Sequence, residues 1–295
     1  MQIEKAKETG FCFGVRRALK LLDKAITEHG DIEILGPMVH NQQVIDNYSQ
    51  RGVKVVENAT QIKGGTVVIP SHGVSPFIIE ELESRKLQIV DGTCPIVQKA
   101  QSAARELSAK GFQVIVFGDP AHSEVKGVLG WAGEGGIATL DSREAIEFDE
   151  LPSRLGFLSQ TTQNPEHFHS FLTGVFSSCL SQIGEISIVN TICRVTRKRQ
   201  TDALELARRV DLMIVVGGRN SANTRHLAEI CSSTGVETYH VERAIELEEK
   251  WFEGRAHIGV TTGTSTLDQV TQEVVQKLRE IGKEFKWNGR NSESI

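Results

Sequence analysis

Short apolar runs alternate along this chain with longer stretches in which apolar residues return every three or four positions, the pattern of strands alternating with helices. The runs include Ile32-Glu-Ile-Leu, Val114-Ile-Val-Phe and Leu212-Met-Ile-Val-Val. The periodic stretches predict helices near Val15–Glu28, Gln42–Arg51, Ser75–Arg85, Pro95–Lys110, after Ser123, and over about 196–209, 222–234 and 266–281. Ser75-Pro76 reads as an N-cap and first turn, and Ile137–Leu140 as an edge segment. Alternation of this kind argues α/β architecture with parallel layering.

A repeat is visible in the spacing. Cys12, Cys94 and Cys193 each stand between an apolar run and a helical pattern, and each is followed 24 residues later by a glycine that closes another run: Gly36, Gly118 and Gly217. Four residues beyond those glycines stand His40, His122 and Ser221, and six beyond stand Gln42, Glu124 and Asn223. A further run in each repeat ends in hydroxyl or imidazole groups, at Ser71-His72, Thr161-Thr162 and Thr264-Ser265. Matched spacing over periods this long predicts repeated small domains. The expected division is 13–94 for lobe 1, 95–185 for lobe 2, 186–281 with 1–12 for lobe 3, and a polar tail over 282–295. In parallel sheets ligands sit beyond the carboxyl ends of the strands, where all these polar groups fall. Three lobes about a pseudo-threefold axis would bring the cysteines to one centre.

Composition narrows the chemistry. With 39% hydrophobic and 24% charged residues, the chain of 295 residues is ordinary globular protein. A net charge of −5 and a pI near 6.0 speak against nucleic acid, which selects basic surfaces. No run approaches a membrane span and no signal-peptide pattern opens the sequence, so a cytoplasmic protein without membrane association is expected. Five cysteines in such a chain suit thiolate chemistry better than a disulfide framework.

A thiolate is favoured at a helix N-terminus. Three at matched turns point to metal ligation, whereas Cys179 and Cys231 sit on helical faces and read as core. Zinc would accept three cysteines and a fourth ligand; an iron–sulfur cluster with three thiolates leaves one iron open. The lack of a tight Cys-x-x-Cys pair disfavours a small zinc ribbon, and a cluster between lobes fits better. His40, His72, His122, Ser221, Asn223 and Ser265 could donate to phosphate oxygens, with help from helix N-termini. Glu124, in His122-Ser-Glu124, is the candidate proton donor. Gly217-Gly218-Arg219-Asn220 lacks the third glycine and acidic partner of a dinucleotide fingerprint, so any electrons would come from a partner protein.

These stretches, in order, resemble 4-hydroxy-3-methylbut-2-enyl diphosphate reductases, the LytB-type enzymes of the methylerythritol phosphate route to isoprenoids. Gly10-Phe-Cys12-Phe-Gly-Val, Gly36-Pro-Met-Val-His40-Asn, Ser71-His72-Gly-Val, Asp91-Gly-Thr-Cys94-Pro, His122-Ser-Glu124-Val-Lys-Gly, Gln160-Thr161-Thr162, Asn190-Thr-Ile-Cys193, Asn220-Ser221-Ala-Asn223-Thr and Thr262-Gly-Thr-Ser265 carry it.

The resemblance implies a trefoil of three α/β lobes about one [4Fe–4S] cluster on Cys12, Cys94 and Cys193. Its open apical iron would meet the substrate hydroxyl. It implies diphosphate binding by His40, His72, His122, Ser221, Asn223 and Ser265, with Ala222 and Thr196 as further pocket positions, and proton delivery by Glu124 and Thr161. Ferredoxin or flavodoxin would donate electrons, and isopentenyl and dimethylallyl diphosphate would be the products. This chain departs from the family pattern at Ser123, Ala222, Arg194 and Arg197. Two other readings stay open: a non-redox dehydratase of the quinolinate-synthase kind, and a non-catalytic iron–sulfur sensor that binds a diphosphate.

Overall fold

The structure is a computed structural model that describes residues 1–292, with side chains through Lys283. It opens with β1 (Gln2–Lys5) and α1 (Phe13–His29). A first sheet is then laid down by β2 (Ile32–Leu35), α2 (Gln42–Gln50), β3 (Lys54–Val56), β4 (Thr66–Ile69), α3 (Pro76–Ser84) and β5 (Gln88–Asp91). After α4 (Pro95–Ala109), a second follows from β6 (Gln113–Phe117), α5 (Ser123–Ala132), β7 (Ile137–Thr139), β8 (Arg154–Ser159), α6 (Pro165–Cys179) and β9 (Glu185–Val189). The third begins after α7 (Arg194–Ala207), with β10 (Leu212–Val216), α8 (Ala222–Ser232), β11 (Glu237–Val241), β12 (His257–Thr262) and α9 (Asp268–Ser292).

Strand order repeats. The sheets run β3-β2-β4-β5, β7-β6-β8-β9 and β11-β10-β12-β1, all parallel. The third thus takes its last strand from the opposite end of the chain, with Ile3 beside Ile258 where the others pair Val67 with Ile89 and Phe157 with Ile188. Parallel sheets are covered on both faces, which is why central strands such as Leu212–Val216 are apolar at every position. Leu212, Ile214 and Val216 pack on Val274, Leu278 and Ile281 of α9. Met213 and Val215 turn to the other face, against Ala203 and Leu206 of α7 and Leu227 of α8. Each such side chain contributes about 1.5–3 kcal/mol by leaving water.

Phe13–Val39 and Ile45–Cys193 form one compact unit, which contains the first two sheets. Trp131 Nε1 and Gln101 Nε2 both donate to the carbonyl of Val74, at 3.0 and 3.2 Å, fastening the first lobe to the second. Met1–Cys12, His40–Val44 and the chain from Arg194 form the other unit.

Three expectations are corrected. The strand Glu185–Val189 pairs with β8, so the second lobe extends past 185; β9 is its closing strand, as β5 is in the first. Helix α9 continues through Gly282 to Ser292 where a tail was expected. That glycine faces Met1, whose Cβ would lie 3.2 Å from an added methyl, so it makes room for packing instead of stopping the helix. Ser75 holds the N-cap position of α3, yet its side chain makes no capping bond and lies against Gly130 of α5. Residues 293–295 of the expected tail lie outside the described residues.

Candidate functional site

All three cysteine turns are built on one hydrogen bond. The N–H of Cys94 donates to Ser71 O at 2.9 Å, that of Cys193 to Thr161 O at 2.8 Å, and that of Cys12 to Thr264 O at 3.0 Å. Each acceptor lies just past the inner strand beside which the cysteine's own strand runs. Local side chains shape the turns. Asp91 Oδ1 accepts from Thr93 N at 2.9 Å before Cys94, and Asn190 Oδ1 accepts from Ile192 N at 3.1 Å before Cys193. Before Cys12, Gly10 adopts φ +73°, and a Cβ there would strike the Asp268 carboxylate. None of the three cysteines is in a disulfide, all are partly exposed, and each directly precedes a helix.

In the unit that holds the first two sheets, Glu124 sits in the first turn of α5, only 4% exposed. Thr161 grips its carboxylate with both donors, the backbone N–H to Oε1 at 2.6 Å and the hydroxyl to Oε2 at 2.9 Å. Burial pushes the Glu124 carboxyl up, while the two Thr161 hydrogen bonds oppose the rise by favouring the charged form. A hydroxyl both donates and accepts, so the same contact serves the protonated acid with the roles reversed. Thr161 is thereby shared: its side chain faces the acid and its carbonyl holds Cys193.

Two histidines of that unit have assigned tautomers. His122 caps α5 by accepting the Glu124 N–H on Nδ1 at 3.1 Å, so a neutral ring carries its proton on Nε2. His72 Nδ1 lies 3.0 Å from Gly73 O, which only accepts, so Nδ1 carries the proton there.

The other unit gathers a separate polar cradle. Ser221 is the N-cap of α8, and Ala222 and Asn223 form its first turn, all at least nine-tenths buried. Asn223 is 2% exposed, and neither Oδ1 nor Nδ2 meets a partner among the described residues. An unsatisfied buried amide costs about 1–3 kcal/mol, which a hydrogen-bonding partner at this position would offset. Asn41 Nδ2 donates to Ser265 O at 2.9 Å, tying the His40 segment to the loop after β12. A Cβ on Gly218 would lie 2.7 Å from His40 O, so glycine lets the loop after β10 approach the same segment. Burial, with the nearby Arg225 charge, depresses the His40 pKa. The first turn of α8 carries no acid, and Ser221 accepts the Thr224 and Arg225 N–H groups; a helix start without an acid is electrostatically suited to an anion.

Other placements follow from the same helices. Thr196 is buried in the first turn of α7, whereas Arg194 and Arg197 point to solvent. Cys179 and Cys231 are buried, and burial pushes the Cys231 thiol up to about 12. Asn41 was missed by sequence reasoning although it adjoins His40; a polar residue ending an apolar segment was its signal. Among the described residues no group of three or more His, Cys, Asp or Glu could hold a single metal ion. No helix among them is long and apolar enough to cross a membrane.

Comparison with known proteins extends these observations. A family profile described as LytB protein matches residues 3–279. A 4-hydroxy-3-methylbut-2-enyl diphosphate reductase of Dehalococcoides mccartyi is 48% identical over 278 residues, covering 94% of this chain and 98% of that one. The protein of the same name from Geobacter sulfurreducens is 43% identical over 288 residues, covering 97% and 100%. A solved (E)-4-hydroxy-3-methyl-but-2-enyl diphosphate reductase, described as the terminal enzyme of the non-mevalonate pathway, is 36% identical with a TM-score of 0.69, covering 95% and 100%. A reductase structure from Plasmodium falciparum shares the fold at a TM-score of 0.87 and 24% identity, over 93% of this chain and 87% of that one. A profile match over nearly the whole sequence, joined by relatives of the same length, places this chain in the LytB protein family.

Proposed function

We propose that this chain is a reductase that converts 4-hydroxy-3-methylbut-2-enyl diphosphate to isopentenyl and dimethylallyl diphosphate. The observation that carries the reading is the Glu124–Thr161 pair, because a buried acid is joined through one residue to the turn of Cys193. The donor set fits an iron–sulfur cluster. Three partly exposed thiols outside any disulfide end equivalent strand-to-helix turns, while the two remaining cysteines are core. Cys12, Cys94 and Cys193 would hold a [4Fe–4S] cluster, which would supply single electrons and Lewis acidity toward the substrate hydroxyl.

The chain's own residues do the rest. Ser221, Asn223, Ser265 and His40 bind the diphosphate through the α8 cradle, and the family resemblance assigns His72 and His122 to the same ligand. Thr196 and Ala222 shape the pocket. Ala222 brings no hydroxyl, so binding there falls to the backbone N–H. Glu124 supplies a proton by way of the Thr161 hydroxyl. In the balanced reaction the C–O bond of the alcohol breaks, two electrons and two protons enter, one carbon gains hydrogen, and water leaves. Electrons come from an external donor of the ferredoxin or flavodoxin kind.

The test is turnover of the anaerobically reconstituted chain with and without dithionite. Reductant-dependent formation of the two five-carbon diphosphates is expected. Reaction without reductant would move the protein to the dehydratases, and binding without turnover would make it a sensor.

A further inference from the structure

Among three arginines that follow Cys193, the helix sorts one inward. Arg194 and Arg197 are exposed, but Arg199 is 1% exposed and is among the largest fully buried side chains. Its period explains the burial: Arg199 shares a stripe of α7 with Ala203 and Leu206, which are both fully buried. A guanidinium cannot lose its charge, so this site must return the hydrogen bonds that water gave it.

The returned bonds are specific. Nη1 donates to Thr262 O at 2.9 Å and Gly263 O at 2.7 Å, and lies 3.3 Å from Thr262 Oγ1. Thr262 Oγ1 also accepts the N–H of Gly10 at 2.9 Å. The next residues of the loop hold two parts of the site. Thr264 O receives the Cys12 N–H at 3.0 Å, and Ser265 O receives Asn41 Nδ2 at 2.9 Å. Arg199 therefore grips the loop immediately before the point where it meets both the cysteine turn and the anion cradle.

The repeat sharpens the point. Six residues beyond each cysteine stand Ala18, Ala100 and Arg199, and the two alanines are fully buried. Two lobes fill this position with a methyl group. The third spends a buried cation there, at a cost that packing alone does not require.

We propose that Arg199 is a positioning residue that sets the Thr262–Ser265 loop for both Cys12 and the diphosphate. The proposal rests on the anion-binding reading of Ser265 given above. Its test uses full-length, anaerobically prepared Arg199→Met and Arg199→Lys variants, with amide hydrogen exchange and calorimetric binding of inorganic pyrophosphate.

In Arg199→Met the Cys12 amide should exchange at least about tenfold faster, while the Cys94 and Cys193 amides, held by other loops, keep their protection. Pyrophosphate affinity should fall about tenfold to a hundredfold, with a smaller loss in Arg199→Lys. Adding Ser265→Ala to Arg199→Met should then cost less than Ser265→Ala alone, because the two act through one loop. Equal acceleration at all three cysteines, or unchanged exchange at Cys12 with wild-type affinity, overturns the proposal. If Arg199→Met does not fold, Arg199→Lys decides: selective loss at Cys12 supports the role, and wild-type behaviour rejects it. A wild-type chain that fails to bind pyrophosphate sinks the anion reading as well, whereas tight binding unaffected by either variant sinks the Arg199 role alone.

Discussion

Glu124 and Asn223 occupy the same station in two lobes, 30 residues beyond their cysteines and in the first turn of the equivalent helices. Both are buried, at 4% and 2% exposure. They differ in what the facing loop offers. Thr161 brings two donors to the Glu124 carboxylate, while the Asn223 amide meets no partner among the described residues. One backbone position thus holds two kinds of group: a carboxyl whose proton affinity burial raises, and a neutral amide with donor and acceptor uncommitted. A repeated fold can divide labour by changing one side chain and its neighbour.

The sharpest way to break this contrast is Glu124→Gln. Turnover should fall about 10²- to 10⁴-fold while pyrophosphate affinity stays near wild type; near-normal steady-state rates would remove Glu124 from proton delivery. Asn223→Ala should do the reverse, weakening pyrophosphate by about 1–3 kcal/mol in calorimetry with the melting temperature of the ligand-free chain unchanged or raised. A loss of stability with intact binding would make Asn223 structural.

Thr161→Val tests the link to the acid. It removes a hydrogen bond that favours ionised Glu124, so the carboxyl rises further. Since the acid must be protonated to act, activity falls as pH rises through its pKa, and that falling limb should move to higher pH in the variant, together with a lower maximal rate. An unmoved limb would mean that another group sets it. The smallest effect is on folding. A carboxyl raised in the folded state contributes stability that is complete below the ordinary glutamate value and is lost as pH rises through the folded one. Chemical denaturation of Glu124→Gln should therefore show a flatter pH dependence above about pH 4.3.

Much of this was legible in spacing. The 24-residue interval from cysteine to glycine spans one helix and the strand after it, and each of those glycines donates its N–H to the end of its edge strand: Val56, Thr139 and Val241. Glu124 stood out because an acid at a strand-end helix start, among histidines, has few structural excuses. The second-lobe boundary was misjudged because Ile186-Ser-Ile-Val reads equally as the first strand of one lobe or the last of another, and pairing with β8 decides. The last helix was ended near 281 because the sequence past Gly282 is polar, and the packing of Gly282 beside Met1 depends on a neighbour 281 residues away in sequence. Arg199 drew no expectation from the sequence, although its helical period matches Ala203 and Leu206. A periodic pattern deserved more weight than residue type.

The borrowed strand of the third sheet has a consequence for the order of events during synthesis. β1 leaves the ribosome first but must wait for His257–Thr262 before it gains a neighbour, and Cys12 waits with it for Thr264. Cys94 and Cys193 find their acceptors in chain already made, Ser71 and Thr161. A nascent chain halted before residue 257 would carry two finished cysteine turns and one unfinished, so the last of the three to mature is the first one translated.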